Sequence, residues 1–128
     1  MAMTRMKISS GSPWESTFGF SRAIRVGEQV FIGATVGRNA DGTAAIGPYA
    51  QARRALEIIA AALTEAGGSL DDVVRTRIFV TDFGVFDEIA RAHREVFAET
   101  RPAASMVQIS ALIEPAYVLE IEAHAVIR

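Results

Sequence analysis

The side chains best suited to chemistry gather near the C-terminus, where Glu120, Glu122 and His124 alternate with Leu119, Ile121, Ala123 and Ala125. In a strand, that alternation sends the three polar groups to one face and the apolar ones to the other. Three readings of the polar face stand open. The first is a metal site, but same-face side chains two residues apart start about 7 Å from each other, too far for a compact ligand set without help from neighbouring strands. No metal is expected. The second is a polar sheet face paired with Arg75 and Arg77 on an adjacent strand. In the third, one of the two glutamates orients a water in a cleft.

Other reactive groups are scattered. His93 falls on the apolar stripe of a helix, where a histidine is more often a packed, hydrogen-bonded core or interface residue than a ligand. Trp14, Phe18 and Phe20 cluster near the N-terminus, where they either line a pocket or staple the lead-in to the domain. Ser105 follows Pro102-Ala-Ala104 and has no base beside it in the sequence, so no serine nucleophile is assigned. With no cysteine in the chain, disulfides, thiolate nucleophiles and cysteine-ligated zinc or iron–sulfur centres are excluded. The P-loop, dinucleotide, zinc-protease and nucleophile-elbow patterns are all missing, so neither phosphate chemistry nor a cofactor is expected.

Positioning these groups falls to a short chain. Its 128 residues suit one domain spanning 1–128, with 50% apolar and 22% charged residues, a globular composition. A net charge of −2 offers no basic field for nucleic acid or anionic lipid, and no apolar run is long enough for a secretory signal or a membrane span. A cytoplasmic protein without nucleic-acid or membrane partners is expected. Residues 1–17 read as an irregular lead-in punctuated by Gly11, Ser12 and Pro13. Two β-rich runs around Ile24 and Phe31 flank Gly27-Glu28, which suits a tight hairpin. Pro48 opens a helix whose stripe runs Tyr49, Ala52, Leu56, Ile59, Leu63 and Ala66, and Gly67-Gly68 closes it. A strand follows at 73–81, with Arg75, Arg77 and Phe79 on one side and Thr76, Ile78 and Val80 on the other. A second helix covers about 85–99, with Phe86, Ile89, His93, Val96 and Phe97 on its stripe, and strands at about 105–110 and 118–127 finish the chain. Two helices cannot cover both faces of such a sheet, so they should share one face, and the apolar residues on the other call for a partner.

The stretch Arg101-Pro-Ala-Ala-Ser-Met-Val107, followed by Leu119-Glu-Ile-Glu-Ala-His-Ala125, resembles the signature of the Rid family, also called YjgF and labelled endoribonuclease L-PSP or translation initiation inhibitor. The hairpin before Gly33, Gln51-Ala-Arg53, Asp72–Val80 and the second helix agree, so the resemblance covers about residues 18–128. It implies an α+β, chorismate-mutase-like fold with a mixed sheet and two helices on one face. It also implies a homotrimer with small-molecule pockets in the clefts between subunits. The best-known members are enamine/imine deaminases that hydrolyse reactive intermediates such as 2-aminoacrylate. In them an arginine grips the substrate carboxylate, and the first glutamate of Glu-Ile-Glu positions or activates water.

By that resemblance Glu120 is the catalytic residue, and Phe20, Gly33, Ala104, Ser105 and Met106 fall on ligand-binding positions. The pattern departs where polarity matters. Ala104 stands at the arginine position, Phe20 at a tyrosine, Gly33 at a serine, Ala90 at an asparagine and Met106 at a cysteine. Loss of a bidentate ionic contact costs about 2–3 kcal/mol, roughly a hundredfold in affinity. Arg101 and Trp14, with Glu15, are candidate replacements. The resemblance therefore implies a hydrolase of C=N metabolites less acidic than usual; the alternative is a non-catalytic small-molecule-binding trimer, and the acidic charge makes endoribonuclease action the weakest reading. Light scattering at micromolar concentration should give the mass of a trimer, and a mass near 13.8 kDa would remove that expectation.

Overall fold

The computed structural model describes residues 4–128. Its elements are β1 (Arg5–Ile8), α1 (Trp14–Phe18), β2 (Ala23–Val26), β3 (Gln29–Thr35), α2 (Pro48–Ala66), β4 (Val73–Val80), α3 (Phe86–Phe97), β5 (Ala103–Gln108) and β6 (Leu119–Val126). The strands form one sheet in the order β1-β2-β3-β6-β4-β5, in which only β4 and β5 run parallel. Parallel neighbours need a crossover, and α3 supplies it.

Alternation along β6 decides which face is which. Leu119, Ile121, Ala123 and Ala125 are buried, and with Val30, Ile32, Ile78 and Val80 they meet the apolar stripe of α2. α2 starts where Pro48 occupies the first turn at no hydrogen-bond cost, and it ends at Gly67, whose left-handed φ of 92° lets its N–H reach the Leu63 and Thr64 carbonyls. α3 leans on α2 and reaches the sheet through His93, whose Nε2 shares a 2.8 Å hydrogen bond with buried Thr76 Oγ1 while its ring packs against Phe97. Burial holds His93 below its ordinary pKa, which suits a packed histidine. The opposite face carries Arg75, Arg77, Phe31, Glu122 and His124, and no helix among the described residues covers it. There Arg77 Nη1 pairs with Glu122 Oε1 at 3.4 Å across the β4–β6 register, and His124 stacks on Phe31 and bonds to Gln29.

Two expectations need correction. The lead-in of residues 1–17 is not irregular: residues 1–3 lie outside the described residues, but Arg5–Ile8 pair with β2 and Trp14–Phe18 form a short helix. β1 is an edge strand of four residues with only Ile8 buried, and its Met6–Ile8 alternation is too short to mark a strand. On α3, Phe86 is 49% exposed, and Val85, just ahead of the helix, packs against the core instead.

One buried polar side chain organises the loops. Gln51, on the first turn of α2, is 3% exposed, and its Nε2 donates to the Ala45 and Ala116 carbonyls at 3.0 and 2.9 Å. Its Oε1 accepts from the Val118 N–H at 2.9 Å. All three partners are backbone groups of loop segments, which would otherwise lack partners away from water. Gly37 backs the same point so closely that a Cβ there would lie 2.6 Å from Gln51 Cα, which explains the glycine. Gln51→Leu keeps the volume and orphans three backbone groups, so it should lower stability by roughly 3 kcal/mol or more. A loss under about 1 kcal/mol in urea denaturation would show that the loops hold themselves.

Candidate functional site

A cavity of about 830 Å³ opens at the end of the sheet where β3 finishes and β6 begins. The segment of residues 10–20 forms one wall, and the loops that Gln51 ties down, around Arg38 and Tyr117, form another. The floor comes from Gly33, Ala34 and Thr35 of β3 and Glu120 of β6. A β-bulge shapes that floor, because the chain from Ile32 to Thr35 on β3 is one residue longer than the Ala123-to-Ile121 stretch it faces on β6. Trp14, Phe20, Ile58, Leu112 and Ile113 make much of the lining apolar.

Two polar networks interrupt it. The first centres on Arg22, which is 5% exposed. Its Nε donates to Ser10 Oγ at 3.0 Å, and its Nη1 donates to the Ala34 carbonyl and, at 3.1 Å, to Thr35 Oγ1. The guanidinium carbon lies 5.2 Å from the centre of the Phe20 ring. Burial lowers the Arg22 pKa while Glu15 and Glu120 oppose that shift, and the guanidinium stays charged at any working pH. Glu15 accepts from the Ser10 N–H and Oγ, both at 2.9 Å. Burial pushes Glu15 up, but the hydrogen bonds from Ser10, Ser9 and Ser12 outweigh it and leave its pKa below the ordinary value. Glu120 behaves in the opposite way: burial first, then neighbouring Glu122, raises its pKa, and Arg22 only partly offsets them.

The second network centres on Glu114. It accepts from Trp14 Nε1 at 3.1 Å and from Arg38 Nη2 at 3.3 and 3.0 Å. Arg38 in turn lies over the ring of Tyr117, at 5.6 Å. Tyr117 is 4% exposed, and burial raises the pKa of its hydroxyl. The loop near one end of the chain is thereby clasped to the short helix near the other.

The residues singled out in the sequence divide between two places. Trp14, Phe20, Gly33 and Glu120 line the cavity. Arg101, Ala104, Ser105 and Met106 do not; they sit on or just before β5, at the far edge of the sheet, where Ser105 is level with Arg77 and Ala104 with Thr76. Arg101 is exposed, with a positive φ of 46°, and its Nε caps the Ala98 carbonyl. Trp14 both lines the cavity and staples the N-terminal segment, and Phe18 borders the cavity with most of its ring exposed. Glu122 and His124 are engaged on the open face, and among the described residues no three His, Cys, Asp or Glu side chains stand together as a metal set. Arg22, Arg38, Glu114 and Tyr117 escaped the sequence reading, since no spacing marks them.

Comparison with known proteins bears on this geometry. The family model described as Endoribonuclease L-PSP matches residues 12–127. An uncharacterized protein of Streptomyces coelicolor is 32% identical over 93% of this chain and 90% of its own length. A 2-iminobutanoate/2-iminopropanoate deaminase of Dermatophagoides farinae is 32% identical over 84% of this chain and 85% of its own. Among solved structures, a member of the YjgF/YER057c/UK114 family from Mycobacterium tuberculosis superposes with a TM-score of 0.89 at 44% identity, covering 97% of this chain and 100% of that one.

The chain's one tryptophan makes the clasp observable. Glu114→Ala removes the acceptor of Trp14 Nε1 and should shift the emission to longer wavelength as residues 10–20 loosen from the cavity. An unchanged spectrum would show that apolar packing alone seats Trp14.

Proposed function

Because the chain belongs to the endoribonuclease L-PSP family, known also as Rid or YjgF/UK114, we propose that it hydrolyses small enamine- or imine-type C=N compounds. The observation that carries this reading is Glu120, a half-buried carboxylate on the wall of a largely apolar cavity, with its pKa raised by that burial. A carboxylate so placed is a stronger base than one in water. Water adds its oxygen to the C=N carbon and gives one proton to Glu120. Glu120 returns that proton to the nitrogen, and the carbinolamine passes its hydroxyl proton to nitrogen as the C–N bond breaks, releasing ammonia and leaving a carbonyl. Overall, one imine and one water become one carbonyl compound and one ammonia, and Glu120 ends as it began. The deaminase name of the Dermatophagoides farinae relative supports the reaction class.

The reading includes a homotrimer. β5 is an edge strand none of whose residues lines the cavity, although Ile109 just after it does, and in this reading Arg101, Ala104, Ser105 and Met106 meet a ligand where a neighbouring subunit brings its β5 to this cavity. The net charge of −2 and the apolar lining suit a small metabolite rather than RNA. A second reading, a binding trimer without turnover, is favoured by the apolar residues Phe20, Gly33 and Ala104.

The test is a coupled assay in which an amino-acid oxidase generates imines with and without a carboxylate, and ammonia release is followed. Glu120→Gln should reduce turnover by about a hundredfold or more while leaving the oligomer intact. Equal activity in the variant would overturn the role of Glu120, and no activity on any imine would favour the binding trimer. The pH profile adds a signed expectation. A base works ionised, and the pKa of Glu120 is raised, so kcat/KM should fall on the acid side at a pH above the ordinary glutamate value of 4.5. The linked stability has the opposite sense: the share due to Glu120 is present below 4.5 and is lost as pH rises through the raised value.

A further inference from the structure

Arg22 has five N–H donors, and the chain uses three of them. Nε takes Ser10 Oγ, and the two hydrogens of Nη1 take the Ala34 carbonyl and Thr35 Oγ1. Among the described residues Nη2 has no acceptor in the chain, yet no buried side-chain nitrogen is left unsatisfied, so Nη2 keeps access to the cavity that Arg22 lines. A nearly buried cation with two unused donors facing an apolar chamber is the arrangement of an anion site.

The other charges around the chamber are already committed. Arg38 is paired with Glu114, and Arg54 holds the Arg38 carbonyl and Glu57. Glu15 is occupied by Ser10 and Ser12. Arg22 and Glu120 share the cavity and feel each other's charge, but no ion pair joins them.

We infer that Arg22, from within one chain, anchors the carboxylate of a small ligand whose apolar part rests on Trp14 and Phe20. This inference rests on the cavity being the ligand site, as proposed above, and it makes the replacement of arginine by Ala104 on β5 compatible with an acidic ligand. Nη2 offers an N–H to a carboxylate oxygen while Nε and Nη1 keep the guanidinium fixed to β3 and the N-terminal segment. The anchor is therefore rigid before the ligand arrives, and little side-chain entropy is lost on binding. The ligand's far end meets rings that accept a flat or branched apolar group.

Benzoate and benzamide differ in charge and little in shape, and both serve as probes with the full chain. Each is titrated while Trp14 emission and the thermal midpoint are followed. The expected result is that benzoate binds at least tenfold more tightly than benzamide, and that Arg22→Lys, which keeps a charge but loses the fork, weakens benzoate about tenfold and benzamide hardly at all. Arg22→Met should abolish the preference; if circular dichroism shows that it does not fold, the wild type and Arg22→Lys decide. Equal affinities in the wild type, or a preference unchanged in Arg22→Lys, would overturn the inference. The proposed reaction is judged separately: an intact benzoate preference with no imine turnover keeps the anchor and removes the hydrolase. Turnover of imines lacking a carboxylate as fast as those bearing one, with no benzoate preference, does the reverse.

Discussion

The amide of Gln51 is the constraint on which the functional end of the molecule depends. It sits on the first turn of the long helix, in the core, and binds the carbonyl of nearby Ala45 together with Ala116 and Val118, which lie 65 and 67 positions further along the chain. Loops cannot enter an apolar interior with bare backbone groups, and a single side chain with donors and an acceptor can satisfy several of them. Because the amide hangs from a helix that is itself fixed by the sheet, the loops bearing Arg38 and Tyr117 inherit the helix's rigidity. The cavity is wide because these loops stand away from β3, and it holds its shape because Gln51 stops them from collapsing onto it.

Beside the cavity, several charges are already committed. Glu114 neutralises Arg38, Ser10 mediates between Glu15 and Arg22, and Arg77 answers Glu122 on the outer face. What remains is an opposite-signed couple, Arg22 and Glu120, lining the same cavity with no ion pair between them. Had they touched, each would have quenched the other, and Glu120 would have been an ordinary ionised carboxylate. The bulge in β3 contributes to this separation by turning the Ala34 carbonyl and Thr35 hydroxyl toward Arg22, which holds the guanidinium to the floor.

What could be read in the sequence was whatever repeats with a period or carries punctuation. Pro48 and Gly67 bracket α2, alternation places Glu120, Glu122 and His124 on one face of β6, and the pairing of that face with Arg77 follows from the same parity. The mixed sheet with both helices on one face was legible, and so was the family. β1 and α1 were not, since four residues and five are too few for a period to stand out. Half of the site was equally hidden. Trp14 and Glu114 are 100 positions apart, and Arg22 meets Thr35 only because a hairpin folds one over the other. Spacing identifies side chains that share an element, but it says nothing about partners brought together by packing.

The position of β6 has a consequence for how the molecule comes into being. The last of the six described strands in chain order lies at the middle of the sheet, between β3 and β4. Until it inserts, β1, β2 and β3 form one ribbon, β4 and β5 another, and no strand pairing joins them. The sheet is therefore completed only once residues 119–126 are in place, and closure across so long a separation is the slow part of folding such a topology. Glu120 travels on that strand. The cavity thus acquires this carboxylate in the same event that locks the two half-sheets together, and a half-folded chain has neither.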